Sequence, residues 1–373
     1  VPKLVEFFNT NNLNVTAVAC GHNHTVVIAN DRLYTFGNND YGQLGQGDEA
    51  EKTEPMLVPD TGLFINTNVT CVACHDHTAV IANKQLYTFG DGHGGKLGHG
   101  NAGDLAFPKL VQDFKNKNVT RVVCGYDHTA VIVDNQLYTF GQGDNGQLGH
   151  GDNVNIAHPI LVNAFINKNV TDVSCGSDHT VVIVDGQLWG FGLNNMGQLG
   201  ISEDKVNKPT LVPIALSFKN VNVKQVSCGS AHTLVITCTP AIIPTTTPTT
   251  PSSTSKCGGA LYVAGHGIYG QLGSGGTMDE WTLILPPFFA DKKVSQIAFG
   301  GVHTAAIIEG QLYTWGENKQ QLGHEDNKNL VVPKLVDFFK GQNISYVACG
   351  ADFTAVIANK KLYNYVPKER RIK

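Results

Sequence analysis

The chain has 373 residues, of which only 16% are charged. It carries 41 glycines, a net charge of −4, and four arginines at Arg32, Arg121, Arg370 and Arg371. Such a balance excludes the basic stripe of a usual nucleic-acid reader, and no run of 18 apolar residues offers a membrane-spanning helix. Nine cysteines, an odd number, argue against a secreted disulfide scaffold and for a reducing compartment, cytoplasmic or nuclear.

The chain begins at Val1, with no initiator Met or leader, as a piece of a longer protein would. Its first phrase, VPKLVEFF at Val1–Phe8, returns almost unchanged as VPKLVDFF at Val332–Phe339. Between these lies a repeat. LYTFG or a variant starts at Leu33, Leu86, Leu137, Leu188, Leu261, Leu312 and Leu362, a period near 51 residues with one longer gap. A second phrase, HT, counts the same units at His24, His77, His128, His179, His232 and His303, with Phe353 in the seventh slot. GQLG or a near variant ends at Gly45, Gly98, Gly149, Gly200, Gly273 and Gly323, and is absent after Leu362. Self-similarity at a fixed period of this size signals an array of supersecondary units.

Each unit reads as four short strands, in the first unit Val15–Cys20, Thr25–Ala29, Leu33–Phe36 and Pro55–Val58. The runs are apolar and β-branched, bounded by Gly, Asn and Asp, without clean alternation, so burial on both faces is expected. Four-stranded sheets packed face to face around a channel make a propeller, here all-β with seven antiparallel blades in a single domain, residues 1–373. The C-terminus supplies three strands from Ile344 to Tyr365. Residues 2–5 are therefore expected to complete the last blade and close the ring, which removes open sheet edges. The longer gap contains Cys238 to Gly259, a Thr/Pro/Ser-rich insertion in blade five whose composition predicts disorder. A short basic tail, residues 366–373, ends the chain.

With VxCGxxHT, LYTFG, GQLG and PxLV in fixed order and spacing, the sequence resembles the RCC1 repeat family over essentially its whole length. The resemblance implies the seven-bladed propeller and a choice of functions: nucleotide exchange on the Ran GTPase with chromatin docking, scaffolding in ubiquitin ligases and ciliary proteins, or ultraviolet sensing in plants. The last requires a dense tryptophan cluster, whereas this chain has Trp189, Trp281 and Trp315, all in different blades. In the family's exchange factors, acidic and histidine residues of the turn before the second strand engage the GTPase. That role carries over to Asp127, Asp178 and Asp76, with the loop residues His22, Asn23 and Tyr126. The competing reading is that each Asp caps its own turn.

The remaining candidates have bland readings. The repeat histidines sit too far apart for a metal and are expected to fix their own blade's turn by a hydrogen bond. Cys20, Cys74, Cys124, Cys175, Cys228 and Cys349 share a slot with Phe299, which marks an apolar packing position. Cys71 stands alone, and Cys238 and Cys257 flank the insertion without an expected disulfide. The NVT triplets at Asn14, Asn68, Asn118 and Asn169 follow from repetition, and glycosylation is not expected. No catalytic motif, cofactor or metal site is expected. Because the HT and GQLG turns fall at one end of the blades, that face is expected to bind a protein partner through Tyr41, His93, Asp144, Met196 and Tyr269. The expected function is a monomeric protein-interaction propeller, one that could regulate a small GTPase, and docking on nucleosomes is not expected. The alternative is a guanine nucleotide exchange factor for Ran or another small GTPase, for which no third-to-fourth-strand turn is lengthened into a wedge.

Overall fold

The structure is a computed structural model that describes residues 2–59, 69–201, 223–237 and 259–365, with 208–213 by backbone alone. Seven four-stranded sheets form the blades, and in each the strands lie in sequence order. The first blade runs Val15–Cys20, His24–Ala29, Arg32–Gly37 and Lys52–Leu57. Later blades begin at Val69, Val119, Val170, Val223, Val294 and Ile344. Blade seven is completed from the other end of the chain. Lys3–Leu4 pairs antiparallel with Lys361–Tyr365, and the Val5 amide donates to the Leu362 carbonyl at 2.9 Å.

Local chemistry accounts for the turns. The second and third strands meet in two-residue turns with both φ positive, as at Asn30 and Asp31 or Asp134 and Asn135. This geometry matches the strand twist and favours Asn, Asp and Gly. Blade five carries its insertion where other blades use that turn, and Cys238–Gly259 lies outside the described residues except for Gly259. The tail at 366–373, Asn68, Cys238 and Cys257 lie outside them too.

Burial differs from the sequence reading. The second strand is buried throughout in every blade, as at His24–Ala29, whereas among the third strands only Leu261–Gly265 of blade five is. The fourth strand, on the blade's outer edge, buries Pro55 and leaves Met56 and Leu57 exposed. The first strand instead faces a central channel of about 780 Å³ lined by Cys20, Cys74, Cys124, Cys175, Cys228 and Cys349. These thiols are free, and burial pushes all six up, Cys228 and Cys349 to about 12. They stay protonated and pack as small hydrophobes.

The core lies between blades rather than within them. One cluster joins Val26, Ile28 and Leu33 of blade one to Val69, Val80 and Phe89 of blade two. Each large side chain buried there contributes roughly 1.5–3 kcal/mol. Helical turns after the fourth strands supply a second contact that the sequence reading did not anticipate: Glu6–Thr10, Gln112–Phe114, Asn163–Phe165, Pro287–Phe289 and Asp337–Phe339. Each buries a phenylalanine against an aromatic of the following blade, as Phe8 on Tyr34 at 5.6 Å and Phe114 on Tyr138 at 5.2 Å. The recurring LVxxF phrase was the available signal. Among the described residues no helix is long and apolar enough to cross a membrane.

Candidate functional site

Five of the six repeat histidines hold blades to one another, not their own turns; the Nε2 of His232 is buried without a hydrogen bond, and its ring packs edge-on against Phe299 of the next blade at 4.8 Å. Nε2 of His77 contacts Thr129 Oγ1 of the next blade at 2.7 Å, and His24, His128, His179 and His303 reach Thr78, Thr180, Thr233 and Thr354 likewise. Each of these threonines donates its single hydrogen to a carbonyl in the previous blade's GQLG turn, as Thr180 Oγ1 to Gln147 at 2.8 Å. The threonine must then accept, so the histidine is the neutral tautomer protonated at Nε2. Consistently, Nδ1 of all five is buried without a partner. The glycine of CGxxH is required by close approach, since a Cβ on Gly176 would stand 2.1 Å from the His179 ring.

These seams position the two kinds of turn on one face. In the GQLG turn the Gln side chain caps the loop, Gln43 Oε1 accepting from the Tyr41 amide at 2.9 Å. Gly45 has φ +70° and packs where a Cβ would press on Phe89 of the next blade at 2.8 Å. Tyr41 and Tyr126 are left exposed.

Seven of the eleven sequence candidates, His22, Asn23, Tyr41, Asp76, His93, Tyr126 and Asp127, line one pocket of about 440 Å³ on blades one to three. Asn38, Asp40 and Asp91 complete its wall. Asp178 of blade four lies outside it, as do Asp144, Met196 and Tyr269 in the third-to-fourth-strand turns of blades three, four and five.

Asp127 and Asp178 do not act as simple caps of their own turns, because their side-chain bonds run to the preceding blade, while Asp76 contacts both the preceding blade and its own turn. Asp127 Oδ1 accepts from Lys96 Nζ at 2.6 Å, and Asp91 of blade two accepts from the same ammonium. Lys96 is fully buried and stands where most other turns have Gln. Burial works against its charge, but the two carboxylates outweigh it and hold its pKa above the ordinary value. Asp178 Oδ1 accepts from Asn145 Nδ2 at 3.2 Å, and burial pushes its carboxyl up. Asp76 sits between two imidazoles, with Oδ1 3.5 Å from His22 Nδ1 and Oδ2 3.4 Å from His75 Nδ1. Burial alone would raise this carboxyl, yet the imidazoles hold it well below the usual carboxylate range. The ring of Tyr126 packs edge-on against His75 at 5.0 Å.

Sequence reasoning missed Lys96, Asp91 and His75. For Lys96 and His75 the signal was a departure from the repeat, GKLG for GQLG and CHDH for CGxxH. Trp189 and Trp315 lie in blades four and six and serve packing. Trp315 is buried and donates to the Gln271 carbonyl at 2.9 Å, and Trp189 lies against Phe165.

Residues 1–356 match the model of the RCC1-like domain. The chain is 30% identical over 352 residues to the ultraviolet-B receptor UVR8 of Arabidopsis thaliana, covering 93% of this chain and 75% of that protein. It is also 30% identical to the E3 ubiquitin-protein ligase HERC2 of Mus musculus, across 91% of this chain but 7% of that much longer one. The X-linked retinitis pigmentosa GTPase regulator of Canis lupus familiaris is 30% identical as well, across 92% of this chain and 37% of that protein. Among solved structures, human WBSCR16 aligns with a TM-score of 0.75 at 24% identity, covering 95% of this chain and 86% of that one. Prp20p of Saccharomyces cerevisiae, described with its binding to Gsp1p and histones, aligns at 0.76 and 20% identity, with 95% and 82% covered.

Proposed function

Because the chain belongs to the RCC1-like domain family, we propose that it is a protein-interaction propeller working through the loop face of blades one to three. The observation that carries this reading is the pocket itself: Tyr41 and Tyr126, 45% and 43% exposed, stand over the carboxylates of Asp76, Asp91 and Asp127. Exposed tyrosines on a rigid scaffold are favoured anchors of protein interfaces, and an acidic floor selects a partner segment bearing Lys or Arg. The compartment proposed is cytoplasmic or nuclear, in keeping with the free thiols.

The experiment compares partner capture by the unaltered chain with capture by Tyr41→Ala/Tyr126→Ala and by Ile166→Ser. Ile166 is 44% exposed on the opposite face, where fourth strands lead to the next blade. Loss in the double variant with retention in Ile166→Ser supports the reading. The reverse pattern overturns it.

A second reading, exchange on a small GTPase, is favoured by Asp127 and Asp178 lying on this same face. An exchange factor forms no covalent bond. It binds the nucleotide-free GTPase more tightly than the loaded one and so shifts the population. Release of labelled GDP from Ran, Rho and Rab family members tests it, with Asp178→Ala as the variant. Asp127→Ala is unsuitable, since it would strand the buried Lys96. Acceleration abolished by Asp178→Ala establishes exchange, and no acceleration on any member leaves the interaction propeller.

A further inference from the structure

Where the seam between blades one and two opens on the loop face, two departures from the repeat meet. Six blades carry glycine after the first strand, Gly21, Gly125, Gly176, Gly229, Gly300 and Gly350, and its amide bonds the carbonyl of the residue in the His slot. In blade two that amide belongs to His75, which bonds His77 across a turn one residue shorter. The next position holds His22 in blade one, against Tyr126, Ser177, Ser230, Gly301 and Ala351 elsewhere. The repeat pattern therefore calls for neither imidazole.

We propose that His22, His75 and Asp76 form a binding site for a divalent transition-metal ion, zinc in the first instance, with a coordination position left open to solvent. One ligand atom from each residue lies within 4.8 Å of the others. Each imidazole faces its own carboxylate oxygen, His22 Nδ1 at 3.5 Å from Oδ1 and His75 Nδ1 at 3.4 Å from Oδ2, close to the roughly 3.3–3.4 Å donor spacing of a zinc bound at about 2.0–2.1 Å, so small side-chain shifts would bring one oxygen and both imidazoles onto a single ion. Nδ1 of His75 is buried, and its 3.4 Å contact with Asp76 Oδ2 is not a hydrogen bond, so this donor atom is already desolvated and stands beside the carboxylate that would share the ion. The carboxylate faces both imidazoles, and the ring of Tyr126 fixes the orientation of His75. Two imidazoles and one carboxylate with a vacancy form the donor set of open zinc sites and of the borderline metals, while magnesium and calcium prefer all-oxygen shells. The inference is independent of the interaction reading, because metal binding is measured on the chain alone.

The test is calorimetric titration of the intact chain with zinc chloride, repeated with cobalt(II) as a spectroscopic probe. The expected result is a single high-affinity equivalent whose cobalt form shows visible d–d bands without intense thiolate charge transfer. His22→Ser and His75→Gly install residues that other blades carry at these positions, so both variants keep the fold, as an unchanged metal-free melting curve will verify. Each should weaken zinc by more than the roughly 10–100-fold that follows loss of an outer-shell partner. Asp76→Asn should behave alike. No zinc equivalent in the unaltered chain, binding unchanged in His22→Ser and His75→Gly, or a cobalt spectrum dominated by thiolate would each overturn the proposal.

Discussion

A threonine hydroxyl has one hydrogen to give, and that constraint orders the seams. Thr180 gives its hydrogen to Gln147 and receives one from His128, so Thr180→Val leaves a buried N–H and a buried carbonyl unpaired. Each orphan costs about 1–3 kcal/mol, and urea denaturation should show a loss of that order while His303→Phe, copying Phe353, costs less. The same residues predict acid sensitivity. Burial lowers His128, His179, His232 and His303 from 6.5 to about 3. The unfolded chain then binds protons that the folded chain refuses. Stability is therefore full above pH about 6.5 and falls as pH drops toward 3, by about 1.4 kcal/mol per pH unit for each histidine. Proton uptake on unfolding at pH 5 should fall by about one in His303→Phe; an unchanged uptake would contradict the assignment. Lys96→Gln restores the common repeat residue yet strands Asp91 and Asp127 beside each other, and should cost about 3–5 kcal/mol by chemical denaturation.

At the scale of elements, five helical turns that follow fourth strands among the described residues staple one blade to the next. Phe8 is 2% exposed and contacts both Phe7 and Tyr34. Phe8→Ala should destabilise by about 3–5 kcal/mol through the cavity it leaves. Removing Val1–Phe8 should cost more, because the Leu362 strand then loses its edge partner as well as the staple. A melting temperature unchanged by the deletion would mean that this strand does not close the ring. The strands themselves were legible because each is a local run of β-branched residues between turn formers. The turn phenylalanines were not read as elements, since a single helical turn is too short to show a period.

Across the whole molecule, the acidic pocket and the net charge of −4 predict that partner capture weakens with salt, whereas charge-independent packing would leave it unchanged. A titration of capture between low and physiological ionic strength measures this. Blade number, chain closure and the face bearing the HT and GQLG turns were all legible in the sequence, because a repeat states its unit and its phase in the spacing of local phrases. Seven of the eleven proposed site residues share one pocket for the same reason: equivalent turns of adjacent blades must emerge at the same end. What those residues touch was decided only by the tertiary structure. His77 finds Thr129 and Lys96 finds Asp127 across a seam, partners 52 and 31 positions apart in the sequence. Such partners are chosen by the packing of one blade on the next, which no phrase within a single blade records. The histidines therefore read as turn-formers until the ring was closed, and His75 drew no notice until it stood beside His22 and Asp76.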